Sequence, residues 1–244
     1  MPMEPLINIS ENYASMSSAA ADGFFNLLAS SQTALICPAS GDSPTGLYTE
    51  IVTRTKAMER PLNTWRFIGL DEWVGMDGRD EGSCRNYLNK QLFVPLGIPE
   101  ERICFFDGRS TKLDAECKSA INYIQEQGGI DIAIVGLGMN GHIGFNEPGV
   151  SPLLKAHVIE LQKSTQQVGQ KYFNHQPTLS QGITLGLASI VAARNIIMVV
   201  SGQHKAPIVQ KMLQQPMDAE IPASLLRQHP RLRIYLDKAA ASLL

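Results

Sequence analysis

Hydrophobic and polar positions along the chain sort into two alternating kinds of segment. Short apolar runs at residues 33–38, 65–70, 102–106, 130–135, 195–200 and 231–237 have the look of strands buried on both faces of a sheet. Between them lie longer stretches whose apolar residues recur near a 3.6 spacing. Residues 11–31, with Ala19, Phe24, Leu27 and Leu28, are one; residues 47–58, 82–96, 114–127, 166–173 and 204–213 are the others. Residues 157–161 alternate as a strand would, and 222–226 read as a short helix. The run at 181–187 fits a strand or a tight turn equally well. Strands alternating with helices predict the α/β class, as a doubly wound three-layer sandwich around one mostly parallel, Rossmann-like sheet. No internal repeat, low-complexity tract or linker divides the chain, so a single domain over residues 1–244 is expected.

The ends of the strands are where this pattern becomes chemical, because open α/β sheets take their ligands at the carboxyl ends of the strands. The strand at 130–135 runs into G-L-G-M-N-G-H-I-G-F-N-E-P-G, which sets Asn140, His142, Asn146 and Glu147 on backbone hinged by glycine. The strand at 33–38 leads into A-S-G-D-S-P-T-G. Ser43 is a plausible cap there, with Pro44 at the first helical position. A strand, a glycine turn and a new helix start together make a natural anion site, so Ser40, Gly41, Asp42 and Ser43 are candidate ligands for one. A plain connecting turn is the competing reading. The strand at 65–70 delivers Asp71 and Glu72, either of which suits a general base, a helix cap or a solvated loop. The strand at 195–200 leads into S-G-Q-H-K-A. Lys205 in the first helical turn opposes the helix dipole unless an anion sits beside it.

Composition narrows the options without adding a site. A net charge of −2 over 244 residues gives no basic footprint for nucleic acid or an anionic membrane. The N-terminal residues lack the basic and apolar regions of an export signal, and the four cysteines are scattered, so reduced thiols in a cytoplasmic setting are expected. No HExxH, His-x-His or CxxC completes a metal sphere, and no Gly-x-Gly-x-x-Gly helix start or Walker lysine is present. Neither a metal nor a cofactor is therefore expected. Two anion junctions, a carboxylate and a histidine suit acid–base chemistry on a phosphorylated small molecule.

L-D-E-W-V-G at 70–75 and G-L-G-M-N-G-H-I-G-F-N-E-P-G at 136–149 resemble the glucosamine-6-phosphate deaminase/isomerase family, as do S-G-D-S-P and S-G-Q-H-K-A. The likeness runs from about Thr33 to Asp237. It implies a cofactor-free enzyme, classed as a hydrolase of C–N bonds, that converts an amino-sugar 6-phosphate to a ketohexose 6-phosphate and ammonia. By the resemblance, Asp71 moves a proton between C2 and C1, and His142 works at the ring oxygen to open the sugar. Glu147 holds the imidazole, while the phosphate lies on the backbone of Asp42 and Ser43 with Lys205 supplying charge. Lys171 stands where the family carries an arginine, keeping the charge without the bidentate fork. Homo-oligomers are common among such folds, although no interface is legible in the sequence.

Three departures qualify the resemblance. Asn140 replaces the aspartate usual before Gly-His, a feature shared with the galactosamine-6-phosphate branch of the family, and so implies a preference for the galacto epimer. Asp42 is acidic beside the expected phosphate, so either its carboxylate turns away or the anion site is weakened. His157 and Ile159 stand where members activated by N-acetylglucosamine 6-phosphate carry basic side chains, so no such activation is expected. Two alternatives remain beside the leading reading: a 6-phosphogluconolactonase, which would not need Asp71, and a sugar-phosphate-binding protein without turnover.

Overall fold

The computed structural model describes residues 5–29, 33–58 and 65–244. The ends of the expected 11–31 helix and of the N-terminal reading (residues 30–31 and 1–4) lie outside the described residues. In chain order the elements are β1 (Leu6–Ser10), α1 (Tyr13–Leu28), β2 (Ala34–Pro38), α2 (Asp42–Ala57), β3 (Trp65–Ile68), β4 (Asp71–Trp73), α3 (Cys84–Leu88), α4 (Val94–Leu96) and β5 (Ile103–Cys104). There follow α5 (Leu113–Glu126), β6 (Ile132–Val135), β7 (Ala156–Glu160), α6 (Lys163–Gly169), β8 (Gln181–Leu185), α7 (Leu187–Val191), β9 (Asn195–Val200), α8 (Ala206–Gln214) and β10 (Leu232–Asp237).

Seven strands form one wholly parallel sheet in the order β1-β10-β9-β6-β2-β3-β5. From β2 the chain steps outward to β3 and β5, then returns to the other side of β2 with β6 and continues outward to β9 and β10. The direction of winding thus reverses between β2 and β6, which opens a crevice at their carboxyl ends. The central strands are apolar throughout because both faces are covered: β2, β6 and β9 are buried at every position. Their alternate side chains feed two separate cores. Leu35, Cys37, Ala133, Val135, Met198 and Val200 point to one; Ile36, Ile132, Ile134, Ile197 and Val199 point to the other, beneath α1 and α2.

A second sheet, antiparallel and absent from the sequence reading, has the order β4-β8-β7. Its middle strand settles the 181–187 run as a strand, with Glu72 opposite Ile183 and Asp71 opposite Thr184. Trp73, Phe145, Phe173 and Leu179 pack a third core against it. This sheet fixes Asp71 by backbone pairing rather than leaving it on the free end of a strand.

Several local expectations need correction. The helix at 82–96 does begin with Ser83, whose hydroxyl accepts the Asn86 N–H at 3.0 Å, but a π turn over Asn89–Phe93 interrupts it. Ser43 is not the cap of α2, which starts from Gly41 without a side-chain cap. The expected 166–173 helix starts earlier, at Lys163, and ends in a 3-10 turn over Gln170–Tyr172. Another such turn, Gln203–Lys205, precedes α8. Among the described residues no helix is long and apolar enough to cross a membrane.

Candidate active site

The carboxyl ends of β2, β6 and β9 border a pocket of about 490 Å³, walled by α6 and the turn that follows it. Ser40, Gly41, Asp42, Ser43, Asp71, Asn140, His142, Lys171 and Lys205 all line it, whereas Glu147 lies behind the wall at 2 % exposure.

One end of the pocket is built from the two glycine junctions. The Ser43 hydroxyl lies 3.3 Å from that of Ser201, which ties the start of α2 to the end of β9. Tyr87 donates to the Gly41 carbonyl at 2.7 Å and holds the loop from the other side. Gly202 adopts φ 93°, a left-handed conformation that favours glycine, and its N–H reaches both Asp237 carboxylate oxygens at 3.1 Å. Lys205 donates from Nζ to the Leu137 carbonyl at 2.6 Å. Burial pushes its ammonium down to about 8, the nearby Lys171 adds to the fall, and Asp42 opposes it. The Asp42 carboxylate neither faces a free anion site nor points idly away, for it pairs with Lys171 Nζ at 2.6 Å.

At the other end, the neighbours Asp71 and Glu72 divide two tasks between them. Glu72 is fully buried and accepts the backbone N–H groups of Trp73, Cys84 and Arg85, each at 2.9 Å, so it anchors the start of α3. Asp71 faces the pocket at 6 % exposure, and its Oδ1 has no hydrogen-bond partner among the described residues. Burial raises the Asp71 carboxyl to about 7, against an opposing hydrogen bond from the Cys84 thiol. Such a group gains and loses a proton near neutrality.

His142 is held through an amide rather than directly by a carboxylate. Its Nδ1 lies 2.6 Å from Asn140 Oδ1, and its backbone N–H reaches the same oxygen at 3.2 Å. Asn140 Nδ2 donates to Glu147 Oε2 at 2.7 Å and to Gln162 Oε1 at 2.9 Å. The expected direct hold of Glu147 on the ring is therefore mediated, with the carboxylate itself 3.7 Å from Nδ1. Since the asparagine nitrogen faces two acceptors, its oxygen must face the ring, and Nδ1 carries the proton. Nε2 is left as the basic nitrogen. Burial lowers the imidazole's affinity for a proton and Lys205 lowers it further, while Glu147 works against both. The ring packs on Gly138, where a Cβ would lie 2.4 Å from it.

Gln162, Thr165, Cys84 and Tyr87 escaped the sequence reading. Thr165, whose hydroxyl is 3.3 Å from His142 Nδ1, and Gln162 follow the strand expected at 157–161, but no glycine turn marks that strand end as a ligand site. Of the other histidines, His229 bonds to the Ala193 carbonyl and the Arg231 N–H, and His204 lines the pocket.

The family model described as glucosamine-6-phosphate isomerases/6-phosphogluconolactonase matches residues 10–234. The chain is 36 % identical over 236 residues to glucosamine-6-phosphate deaminase of Shouchella clausii, covering 95 % of this chain and 94 % of that one. The Oceanobacillus iheyensis protein of the same name is 36 % identical over 231 residues, with 94 % and 92 % covered. Among solved structures, a monomeric glucosamine-6-phosphate deaminase superposes with a TM-score of 0.94 at 29 % identity, over 98 % of this chain and all (100 %) of its own. A Trypanosoma brucei 6-phosphogluconolactonase, at 19 % identity, TM-score 0.80 and 99 % of both chains, shares the fold.

Proposed function

Because the chain belongs to the family of glucosamine-6-phosphate isomerases and 6-phosphogluconolactonases, we propose that it deaminates and isomerises an amino-sugar 6-phosphate, releasing ammonia and a ketohexose 6-phosphate. One observation carries this reading: a buried carboxyl raised toward neutrality and an imidazole with a basic Nε2 share a pocket whose far end is lined by Lys171, Lys205 and the start of α2. A hydrolase of the lactone needs no carboxyl at Asp71, so the proton-shuttling reaction uses more of what the pocket contains.

The steps balance as follows. His142 Nε2 takes the proton of the anomeric hydroxyl and returns it to the ring oxygen, which opens the sugar. While the ring is charged, Glu147 stabilises it through space at 3.7 Å. Asp71, ionised, removes the C2 proton while the substrate's ammonium gives one of its protons to O1, forming an enolamine; Asp71 then returns its proton to C1, leaving an iminium at C2. Water adds to that carbon, and the carbinolamine expels ammonia. Lys205 and the N–H groups at the start of α2 carry the phosphate, with Lys171 joining them once it leaves Asp42. Asp71 and His142 touch the reacting atoms in this scheme, whereas Glu147 acts on the ring alone, through Asn140 and across 3.7 Å.

Asn140 favours the galacto epimer as the better substrate, while the relatives' names point to the gluco epimer. Ammonia release from galactosamine 6-phosphate and glucosamine 6-phosphate, measured side by side, tests both levels. Ammonia from either sugar supports the reaction, and a higher kcat/KM for the galacto epimer supports the finer assignment. Tight binding of both sugars with no ammonia from either would overturn the reaction and leave a binding protein.

A further inference from the structure

We propose that Gln162 is a positioning residue that holds the Asn140 amide in the orientation that makes His142 Nε2 a base. The inference rests on the reaction assigned above to His142. It begins from a difference between a carboxylate and an amide: a carboxylate offers the same acceptor to the imidazole whichever way it turns, whereas an amide offers a carbonyl on one side and a donor on the other. A flipped Asn140 would present N–H to Nδ1, force that nitrogen to accept, and move the ring proton to Nε2. The base would be lost although only the amide oxygen and nitrogen had exchanged places.

The structure holds two acceptors against that flip. Glu147 Oε2 is 2.7 Å from Asn140 Nδ2, and Gln162 Oε1 is 2.9 Å from the same nitrogen on a second N–H. With both hydrogens of the amide placed, the carbonyl is left to the ring. Gln162 is itself fixed to the group, since its backbone N–H donates to Glu147 Oε1 at 3.1 Å. It lies immediately before α6, the helix whose Thr165 also reaches Nδ1, so its backbone is set by that helix start. An aspartate at position 140 would need none of this, and nothing in the strand or the glycine loop supplies the second acceptor.

The test reads the tautomer directly. In protein carrying ¹⁵N-histidine, wild type should show a protonated Nδ1 and an unprotonated Nε2 for the His142 ring at neutral pH. Gln162→Leu should shift the population toward the Nε2-protonated form and lower kcat about threefold, the size expected for one hydrogen bond at an exposed side chain, with KM little changed. Gln162→Glu retains an acceptor and should keep the wild-type tautomer. In an Asn140→Asp background, adding Gln162→Leu should cause no further fall in kcat. An unchanged ¹⁵N pattern in a folded Gln162→Leu protein would overturn the proposal, as would an equal loss in both backgrounds. Because the tautomer is read without turnover, absence of ammonia from wild type would refute the reaction and leave this measurement standing.

Discussion

Asp42 and Lys171, which lie 129 residues apart, meet in a 2.6 Å ion pair at the end of the pocket formed by the two glycine junctions. Both side chains are largely exposed, at 67 % and 47 %, so the pair is weak, within about 1 kcal/mol. A phosphate that recruits Lys171 must first take it from Asp42. Asp42→Asn should therefore lower KM for the sugar phosphate by up to about fivefold at low salt and leave kcat unchanged. The gain should shrink at high ionic strength and vanish in a Lys171→Met background. Steady-state kinetics of the single and double variants measures it.

The pH profile follows from two shifted groups. Asp71 must be ionised to accept the C2 proton, so kcat/KM should rise as pH passes about 7. Lys205 must be charged to hold phosphate, so kcat/KM should fall above about 8, chiefly through KM. A narrow optimum between these values is the expected outcome. A profile already flat at pH 5 would contradict the assignment of Asp71.

Asp71 and Glu72 should respond in opposite ways to loss of charge. The folded-state carboxyl of Asp71 titrates at about 7, above its ordinary 3.8, so folding loses stability as pH rises from 3.8 through 7. Asp71→Asn should abolish turnover and raise Tm, with the gain growing over that window and constant above it. Burial raises the Glu72 carboxyl to about 7 too, but three backbone N–H groups oppose that rise, and Glu72→Gln should lower stability by about 2–3 kcal/mol, because an amide nitrogen would face backbone donors that the carboxylate now accepts. Thermal melts at pH 5 and 8 separate the two.

Gly138 gives a steric test of the histidine's position. A Cβ there would lie 2.4 Å from the His142 ring. Gly138→Ala should displace the imidazole and reduce kcat by about a hundredfold, the effect of an ångström-scale misplacement of a reacting group. Circular dichroism should remain that of the native fold.

How much of this could be read beforehand depended on whether the cause was local. β2, β6 and β9 were legible because burial on both faces leaves only apolar residues. β1 was not, since Leu6, Ile7 and Ile9 lie exposed at the sheet edge and no alternation marks them. β4, three residues long, carries too little pattern to register as a strand. The glycine loop drew attention to Asn140 and His142, but not to the intervention of the amide between ring and carboxylate. Ser43 has every local mark of a cap, yet its hydroxyl goes to Ser201, 158 residues away. Glu72 looked like a candidate base because its partners, Cys84 and Arg85, lie more than a turn beyond any local window. Gln162 was invisible for the same reason: its meaning depends on a loop 22 residues upstream.

The pairing of β1 with β10 has a consequence for synthesis. Leu6–Ser10 leaves the ribosome long before its hydrogen-bonding partner, Leu232–Asp237. Its other edge has no neighbouring strand among the described residues. Until Leu232–Asp237 emerges this uncharged strand waits unpaired, and that edge of the sheet is completed only then. A nascent chain carrying Leu6–Ser10 without its partner thus offers its neighbours on the polysome a strand edge to pair with.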